Sequence, residues 1–277
     1  MNQYISTITL WLLEFLPNSL KGCPKFKNYI VNHFSIEGYS WGKLNNRLKI
    51  KINIENLTER HLWLGLYPKN IESFLKKNLG ANSSFIDAGA NIGVWSLLAL
   101  DSALDQNIHV FSFEPNQDLH KRLLDSKKKN KLNELWSIFN YGLSDLNTTK
   151  KMYINPFCHQ MSTLENLEDD RQYDIIEVKN LDSLVFKNLE GIKIDVEGHE
   201  TNVIKGALKT IKEHLPWIVV EFNPLYTKTT SVEDWSVKRD LEKLNYKIAD
   251  ISLGDDDSSC RDIVFYNENS KILNFNL

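Results

Sequence analysis

The sequence predicts an α/β fold with a mostly parallel sheet of about seven strands, and three observations lead to this prediction. The chain has 277 residues, of which 42% are hydrophobic and 25% charged, so it can bury a substantial core. From residue 85 onward, short apolar segments alternate with helical patterns, as in parallel sheets with crossover helices. Acidic residues directly follow four of the apolar segments, and this edge of an open α/β sheet binds ligands.

Residues 1–80 are predicted to form an irregular N-terminal extension that packs on the core, and residues 81–277 the main domain. Residues 70–77 alternate polar and apolar side chains at helical spacing, and Gly80 suits the end of that helix. The first strand of the main domain follows directly.

Residues 8–16 are largely apolar and too short to cross a bilayer. We interpret them as an amphipathic helix docked on the domain. The alternative is peripheral membrane contact. That alternative would use four side chains: Leu10, Trp11, Leu13 and Phe15.

The most informative segment is residues 85–93, Phe-Ile-Asp-Ala-Gly-Ala-Asn-Ile-Gly. It predicts a buried strand with Asp87 at its end, and a turn with Gly89 and Gly93 that opens a helix. Glycines let the backbone approach a ligand, and a helix start offers unpaired N–H groups. The dinucleotide fingerprint has three glycines in another spacing, and an acid beside the turn would repel a pyrophosphate. The pattern favours S-adenosylmethionine, which has no phosphate. A nicotinamide-dependent oxidoreductase is the alternative.

The later elements follow from the same alternation of short apolar and longer polar-faced segments. Strands are predicted at 109–113, 135–141, 150–153, 175–178, 191–196, 217–222, 246–250 and 261–266, and helices at 95–104, 118–129, 181–184, 200–212 and 232–244. The last two strands are joined by residues 253–259 without a crossover helix, so they should pair as an antiparallel edge hairpin.

Glu114 ends the second strand of the main domain and follows Gly93 by 21 positions. An acid about 20 residues beyond the glycine turn can accept hydrogen bonds from both ribose hydroxyls of a nucleoside. A helix cap before Asp118 is the alternative interpretation of Glu114.

Four motifs together resemble the FkbM family of S-adenosylmethionine-dependent O-methyltransferases. They are Asp-Ala-Gly-Ala-Asn-Ile-Gly at 87–93, Phe-Glu-Pro-Asn at 113–116, Gly-Leu-Ser-Asp at 142–145 and Lys-Ile-Asp-Val-Glu-Gly-His-Glu at 193–200. The first motif is common to many methyltransferases, and the last is the more specific. The resemblance covers roughly residues 65–224 and implies the class I methyltransferase fold, which is Rossmann-like.

The resemblance also implies the cofactor site and the reaction. The implied cofactor contacts are Asp87, Gly89, Asn91 and Gly93, with Glu114 at the ribose and Ser144 and Asp145 near the adenine. Gly142 departs from the family, which usually has Ala there. The implied reaction is methyl transfer to a hydroxyl, often on a sugar or a natural product. We expect a carbohydrate or glycoconjugate acceptor, with a small natural product as the alternative.

Methyl transfer to an alcohol needs a base or a metal, because an alcohol is hard to deprotonate. His199 is one candidate base, and the alternative is that it faces solvent at a helix start.

The side chains of Asp195, Glu221 and Asn223 follow two strands that should be neighbours, and such oxygens suit Mg²⁺ or Mn²⁺. An ion there would lower the pKa of an acceptor diol. Without an ion, Asp195 would be the base or orient the acceptor, and Glu221 would bond nearby backbone. Glu197 is interpreted as a helix cap.

Charge and cysteine content restrict partners and compartment. Lys plus Arg number 33 against 36 Asp plus Glu, and a net charge of -3 is a poor match to nucleic-acid binding. Cys23, Cys158 and Cys260 are far apart and without metal-ligand spacing. They predict reduced thiols and therefore a cytoplasmic protein. No transmembrane segment is expected.

Overall fold

The computed structural model describes residues 3–44, 47–66, 69–102, 106–154, 162–164, 172–227, 229–253 and 260–270. The chain forms two compact units. The first comprises residues 1–67 with 121–132, and the second residues 68–120 with 133–277.

The first unit is more regular than the sequence predicts. It contains α1 (Gln3–Glu14), α2 (Cys23–His33), β1 (Tyr39–Leu44), β2 (Leu48–Asn53), α3 (Leu57–Trp63) and the residues from 121 onward of α6 (Gln117–Asn130). Strands β1 and β2 form an antiparallel hairpin in which Tyr39 pairs with Asn53. The hairpin forms because β2 alternates buried Ile50 and Ile52 with half-buried lysines, the pattern of a strand with one packed face.

Helix α1 corrects the predicted set of membrane-contacting side chains. Leu10 and Leu13 are 2% and 5% exposed, because they lie on the face of α1 that packs within the unit. Trp11 and Phe15 are exposed. Over the part of the chain that the structure describes, no helix is both long and apolar enough to cross a bilayer.

The second unit confirms the predicted sheet. Its seven strands lie in the order β11-β12-β10-β9-β3-β4-β5. Their bounds are β3 (Ser84–Ala88), β4 (His109–Phe113), β5 (Trp136–Phe139), β9 (Leu189–Ile194), β10 (Trp217–Phe222), β11 (Tyr246–Ile248) and β12 (Arg261–Asn267). The five strands from β10 to β5 are parallel, and β12 pairs antiparallel with both β10 and β11. The fold is that of a class I methyltransferase, as predicted.

Among the described residues, seven α-helices belong wholly or partly to the second unit. They are α4 (Lys69–Asn78), α5 (Val94–Ser102), the first residues of α6, α7 (Glu200–Lys205), α8 (Leu208–His214), α9 (Pro224–Thr227) and α10 (Ser236–Glu242). Helix α4 precedes the predicted boundary at residue 80 but belongs to this unit.

Two of the predicted strands form a separate small sheet. Strands β7 (Thr148–Tyr153) and β8 (Tyr173–Lys179) pair antiparallel, and β6 (Gly142–Leu143) pairs parallel with β8. Only three side chains of this sheet, Met152, Ile176 and Val178, form its buried cluster. A strand of the central parallel sheet is buried on both faces, and β8 is not.

The predicted helix at 200–212 is divided into α7 and α8 at Gly206. A Cβ atom at Gly206 would lie 2.0 Å from the carbonyl oxygen of Ser144, so the backbone there approaches the segment after β6 closely. Strand β3 is buried at all five positions, and its neighbour β9 places Asp87 opposite Lys193. The residues after β3, β4 and β9 therefore meet at one edge of the sheet.

Candidate active site

A cleft, partly open to solvent, lies at the carboxyl edge of β3, β4 and β9. Gly89 and Asn91 line it from the turn after β3, Glu114 from the end of β4, and Asp195 and Glu197 from the end of β9. Its apolar lining includes Phe113, Leu143 and Met152. A mostly apolar wall with a few convergent polar groups is typical of a ligand pocket.

The turn after β3 lies tightly against the segment after β9. Gly89 has φ 78°, and a Cβ atom there would lie 1.8 Å from the carbonyl oxygen of Asp195. The N–H groups of Gly89 and Ala90 donate to the carbonyl of Phe113 at 3.0 and 3.1 Å. Asn91 has φ 53°, and its buried Oδ1 has no hydrogen-bond partner among the described residues. Residues other than glycine rarely adopt such positive φ values, so the backbone conformation of the turn is held in place by its surroundings.

Asp87 is 2% exposed and lies outside the lining of the cavity as described. Its Oδ2 accepts hydrogen bonds from the backbone N–H of Ser96 at 3.0 Å and from the Ser96 hydroxyl at 2.5 Å. Burial raises the pKa of Asp87 to about 6, although the bonds from Ser96 oppose the shift. The structure thus gives Asp87 a place under the first turn of α5, and direct contact with a cofactor stays a prediction. Gly93 directly precedes α5, and its N–H donates to the carbonyl oxygen of Ala90.

Glu114 lines the cavity and is only 6% exposed. Its Oε2 accepts from the N–H of Asn91 at 2.8 Å, and its Oε1 accepts from the N–H of Asn116 at 2.9 Å. Burial raises the pKa of Glu114 to about 7, against the effect of both N–H donors. Two fixed donors orient this carboxylate toward the cavity and leave lone pairs for hydroxyl groups of a ligand.

Ser144, Asp145 and His199 form a cluster beside the cavity. The Ser144 hydroxyl donates to Asp145 Oδ1 at 2.9 Å and lies 2.9 Å from His199 Nε2. Lys150 Nζ lies 3.3 Å from the same imidazole nitrogen. His199 is 2% exposed, so the interpretation that it faces solvent is wrong. Its predicted role as base stays a prediction, as do the adenine contacts of Ser144 and Asp145.

Three carboxylates gather at the ends of β9 and β10. Oxygens of Asp195, Glu197 and Glu221 lie within 4.8 Å of one another. Asp195 and Glu221 were predicted to lie together, with Asn223 as the third possible ligand. Asn223 Oδ1 instead accepts from the N–H of Leu225 at 3.1 Å, at the start of α9. Its predicted role as a metal ligand stays a prediction.

Glu197 is a functional candidate that the sequence analysis missed. It lines the cavity and has φ 52°, and its buried Oε2 has no hydrogen-bond partner within the described residues. The predicted helix cap is wrong for Glu197, because the N-cap position of α7 is His199 and no described side chain makes a capping hydrogen bond there. The pKa of Glu197 is raised to about 8, mainly because the residue is buried and to a smaller extent because Asp195 and Glu200 repel its charge. The positive φ and the buried oxygen without a described partner make Glu197 a candidate functional residue.

Lys193 was also missed, although a lysine within an apolar strand could have signalled it. It is 1% exposed, and its Nζ lies 2.5 Å from Asp262 Oδ1 and 3.5 Å from Asp195 Oδ2. Burial opposes its charge, but Asp262, Asp195 and Glu221 together raise its pKa above the ordinary value. Burial and the nearby Asp195 raise the pKa of Glu221. Lys193 therefore supplies a fixed positive charge beneath the carboxylate cluster.

Comparisons with known proteins support the family and the fold. The model of the Methyltransferase FkbM domain matches residues 87–248. The crystal structure of Methyltransferase FkbM from Methylobacillus flagellatus KT is similar with a TM-score of 0.50 and 17% identity, over 76% of this chain and 54% of that chain. This chain thus spans about half the length of that protein.

A second structure, TYW2 from M. jannaschii in complex with AdoMet, has a TM-score of 0.44 and 13% identity, over 83% of this chain and 87% of that chain. No curated protein sequence matches the chain.

Proposed function

Since the chain belongs to the FkbM methyltransferase family, we propose that it uses S-adenosylmethionine to methylate a hydroxyl group of a sugar or glycoconjugate. The observation that carries this proposal is one cavity with two parts. Glu114 and the turn at Gly89 offer a nucleoside site, and Glu197 and Asp195 offer acid–base groups beside it. Family membership favours methyl transfer over the nicotinamide-dependent alternative.

The residues present fit this cofactor. The carboxylate of Glu114 can accept from both ribose hydroxyls, and Asn91 Oδ1 offers an acceptor that has no partner among the described residues. The apolar walls at Phe113, Leu143 and Met152 suit an adenine ring. When bound, S-adenosylmethionine supplies an electrophilic methyl group on a sulfonium leaving group.

The basic test of the proposal is isothermal titration with S-adenosylhomocysteine. We expect one bound molecule per chain. A protein that is folded by circular dichroism and does not bind would overturn the cofactor assignment. Transfer of an isotopic label from S-adenosylmethionine to a panel of glycans and of small hydroxylated metabolites would then separate the two acceptor classes.

Binding of S-adenosylhomocysteine should weaken as the pH falls through about 7, because protonation of Glu114 removes an acceptor for the ribose hydroxyls. Glu114→Gln should lower the affinity by about 10- to 100-fold at pH 8 and flatten the pH dependence, since a hydrogen bond to a charged group contributes roughly 1.5–3 kcal/mol. Titration at pH 6 and pH 8 measures both effects. The exposed Glu177→Gln is the matched control, and equal loss in both variants would contradict the ribose role.

The chain's own residues must orient the acceptor hydroxyl and accept its proton. Among the groups at the cavity, Glu197 best suits the base: its Oε2 has no hydrogen-bond partner among the described residues, and its raised pKa lies near working pH. Asp195, held at 3.5 Å from the Lys193 ammonium, suits an orienting group. Glu221, whose pKa is raised to about 9 by burial and by Asp195, lies beside them, and His199, buried against Ser144, remains the alternative base.

Glu197→Gln should lower turnover by about 10²- to 10⁴-fold while binding of S-adenosylhomocysteine is retained, because proton transfer is lost and the cofactor contacts are not. Wild-type turnover should rise with pH through about 8, since the base must be ionised. Single-turnover assays across pH 6–9 measure this. His199→Gln is the comparison variant: if it shows the loss and Glu197→Gln does not, the base is His199.

Glu197→Gln should also change how the stability of the protein depends on pH. The folded-state pKa of Glu197 is raised from 4.5 to about 8. The stabilisation that its protonated carboxyl gives the folded state is therefore fully present below pH 4.5 and is lost as the pH rises to about 8. Glu197→Gln removes that loss, so its melting temperature relative to wild type should be higher at pH 9 than at pH 5.

A divalent ion at the carboxylate cluster is a second hypothesis, favoured by oxygens within 4.8 Å of one another. The Lys193 ammonium already supplies positive charge there, which weakens the need for an ion. If protein treated with EDTA keeps full activity and added Mg²⁺ or Mn²⁺ changes nothing, Asp195 and Glu221 act without a metal.

A further inference from the structure

Helix α1 has two apolar faces, and only one of them is packed. Ser6, Leu10 and Leu13 are buried at successive turns. A set of large apolar side chains on the opposite side, here named the α1 outer face, is between 51% and 79% exposed: Tyr4, Ile5, Ile8, Trp11, Leu12 and Phe15. Helical spacing places these residues on one side of the helix. A surface helix of a globular protein normally presents polar residues to solvent, so this face calls for an occupant.

The aromatic members of the α1 outer face are already arranged together. The rings of Trp11 and Phe15 meet edge to face with their centroids 4.9 Å apart. Helix α1 spans 12 residues, which corresponds to a length of about 18 Å at 1.5 Å per residue. It is too short to cross a bilayer of about 30 Å, and long enough to lie in the interface between headgroups and acyl chains.

The charges of the same segment are complementary to an anionic surface. Residues 1–36 contain one acid, Glu14, against three lysines, a formal charge of +2 in a chain of net charge -3. The carboxylate of Glu14 is engaged, because it accepts from the Ser40 hydroxyl at 2.7 Å and the Trp41 N–H at 3.0 Å. Lys21 and Lys25 are exposed. Within residues 3–36, all of which the structure describes, no acid is exposed.

Further apolar side chains accompany these lysines. Leu20, Phe26 and Tyr29 are each more than half exposed and alternate along the sequence with Lys21 and Lys25. Aromatic rings prefer the membrane–water interface, and lysines near it gain from anionic headgroups. If a second copy of this chain docked through the same segment, its lysines would lie near those of the first copy, and residues 3–36 offer no exposed acid to neutralise them.

We propose that this N-terminal segment is a docking surface for an anionic lipid bilayer, with the α1 outer face inserted at the interface and Lys21 and Lys25 at the headgroups. The proposal goes beyond the methyltransferase function and does not depend on it. It places the protein at a membrane surface.

Flotation of the full chain with vesicles tests the proposal. We expect the protein to float with vesicles of phosphatidylcholine containing 30% phosphatidylglycerol, a fraction that gives an anionic surface, and to float much less with phosphatidylcholine alone. The double variant Ile8→Gln, Trp11→Gln should reduce the bound fraction by about tenfold or more, because two exposed anchors are lost. Lys21→Gln with Lys25→Gln should remove the preference for the anionic vesicles.

Matched controls separate docking from general effects. Leu146→Gln with Ile175→Gln removes two side chains of similar exposure (61% and 62%) from the second unit, and Lys76→Gln with Lys128→Gln removes two other exposed lysines. Both should float like wild type. Absence of wild-type flotation, or equal loss in variants and controls, would overturn the proposal. So would a dimer in vesicle-free buffer that Ile8→Gln, Trp11→Gln converts to a monomer, since the face would then belong to a second copy.

Discussion

Replacement of Lys193 by Met is expected to destabilise the protein by about 3–5 kcal/mol, the range found when one partner of a buried ion pair is removed. Lys193 is 1% exposed, and its ammonium lies 2.5 Å from Asp262 and 3.5 Å from Asp195. Met keeps most of the volume of the side chain but not its charge. The carboxylates would then face one another in a poorly solvated place and have to take up protons.

Urea unfolding at pH 7 and pH 5.5 measures this loss. The destabilisation should be smaller at the lower pH, where uptake of protons by the carboxylates is easier. Adding Asp262→Asn to Lys193→Met should recover part of the stability, because the second charge of the pair is then also absent. Lys247→Met, which removes an exposed pair with Glu268, is the control and should unfold close to wild type. A double variant less stable than Lys193→Met would contradict the ion-pair account.

Replacement of Gly89 by Ala should abolish cofactor binding and destabilise the fold. Gly89 has φ 78°, a conformation that costs an L-residue about 1–2 kcal/mol, and its Cβ would lie 1.8 Å from the Asp195 carbonyl oxygen. The obstacle is backbone rather than a flexible side chain, so the turn and the end of β9 must separate. Overpacking adds roughly 1–3 kcal/mol, for a total of about 2–5 kcal/mol. Separation would also displace Asn91 from Glu114.

Gly22→Ala is the matched control for this experiment. Gly22 has φ 85°, and no described heavy atom lies within 4 Å of the Cβ it would gain. It carries the same backbone strain without the collision, so the difference between the two variants isolates the close approach at the site. Thermal unfolding and titration with S-adenosylhomocysteine measure the two effects. Equal destabilisation by both variants, with cofactor binding kept in Gly89→Ala, would show that the contact with Asp195 is not rigid.

The main sheet was predictable because its signals are local. Each central strand is a short apolar segment that ends in or next to an acid, and helical segments separate the strands along the chain. The edge hairpin followed from the short connection between the last two strands. Strands β7 and β8 were predicted, but their assembly with β6 into a separate sheet and the break at Gly206 were missed, because both depend on which distant segments approach each other.

The sequence by itself determined the family motifs, the acids at four strand ends and the pairing of the glycine turn with Glu114. Only the tertiary structure decided what surrounds each acid. It placed Asp87 under Ser96, enclosed His199 against Ser144, put Lys193 beneath Asp195, and left one carboxyl oxygen of Glu197 unbonded within the described residues. The physical reason is that motif spacing fixes positions along a strand, whereas charge state and reactivity depend on burial and on partners from remote parts of the chain.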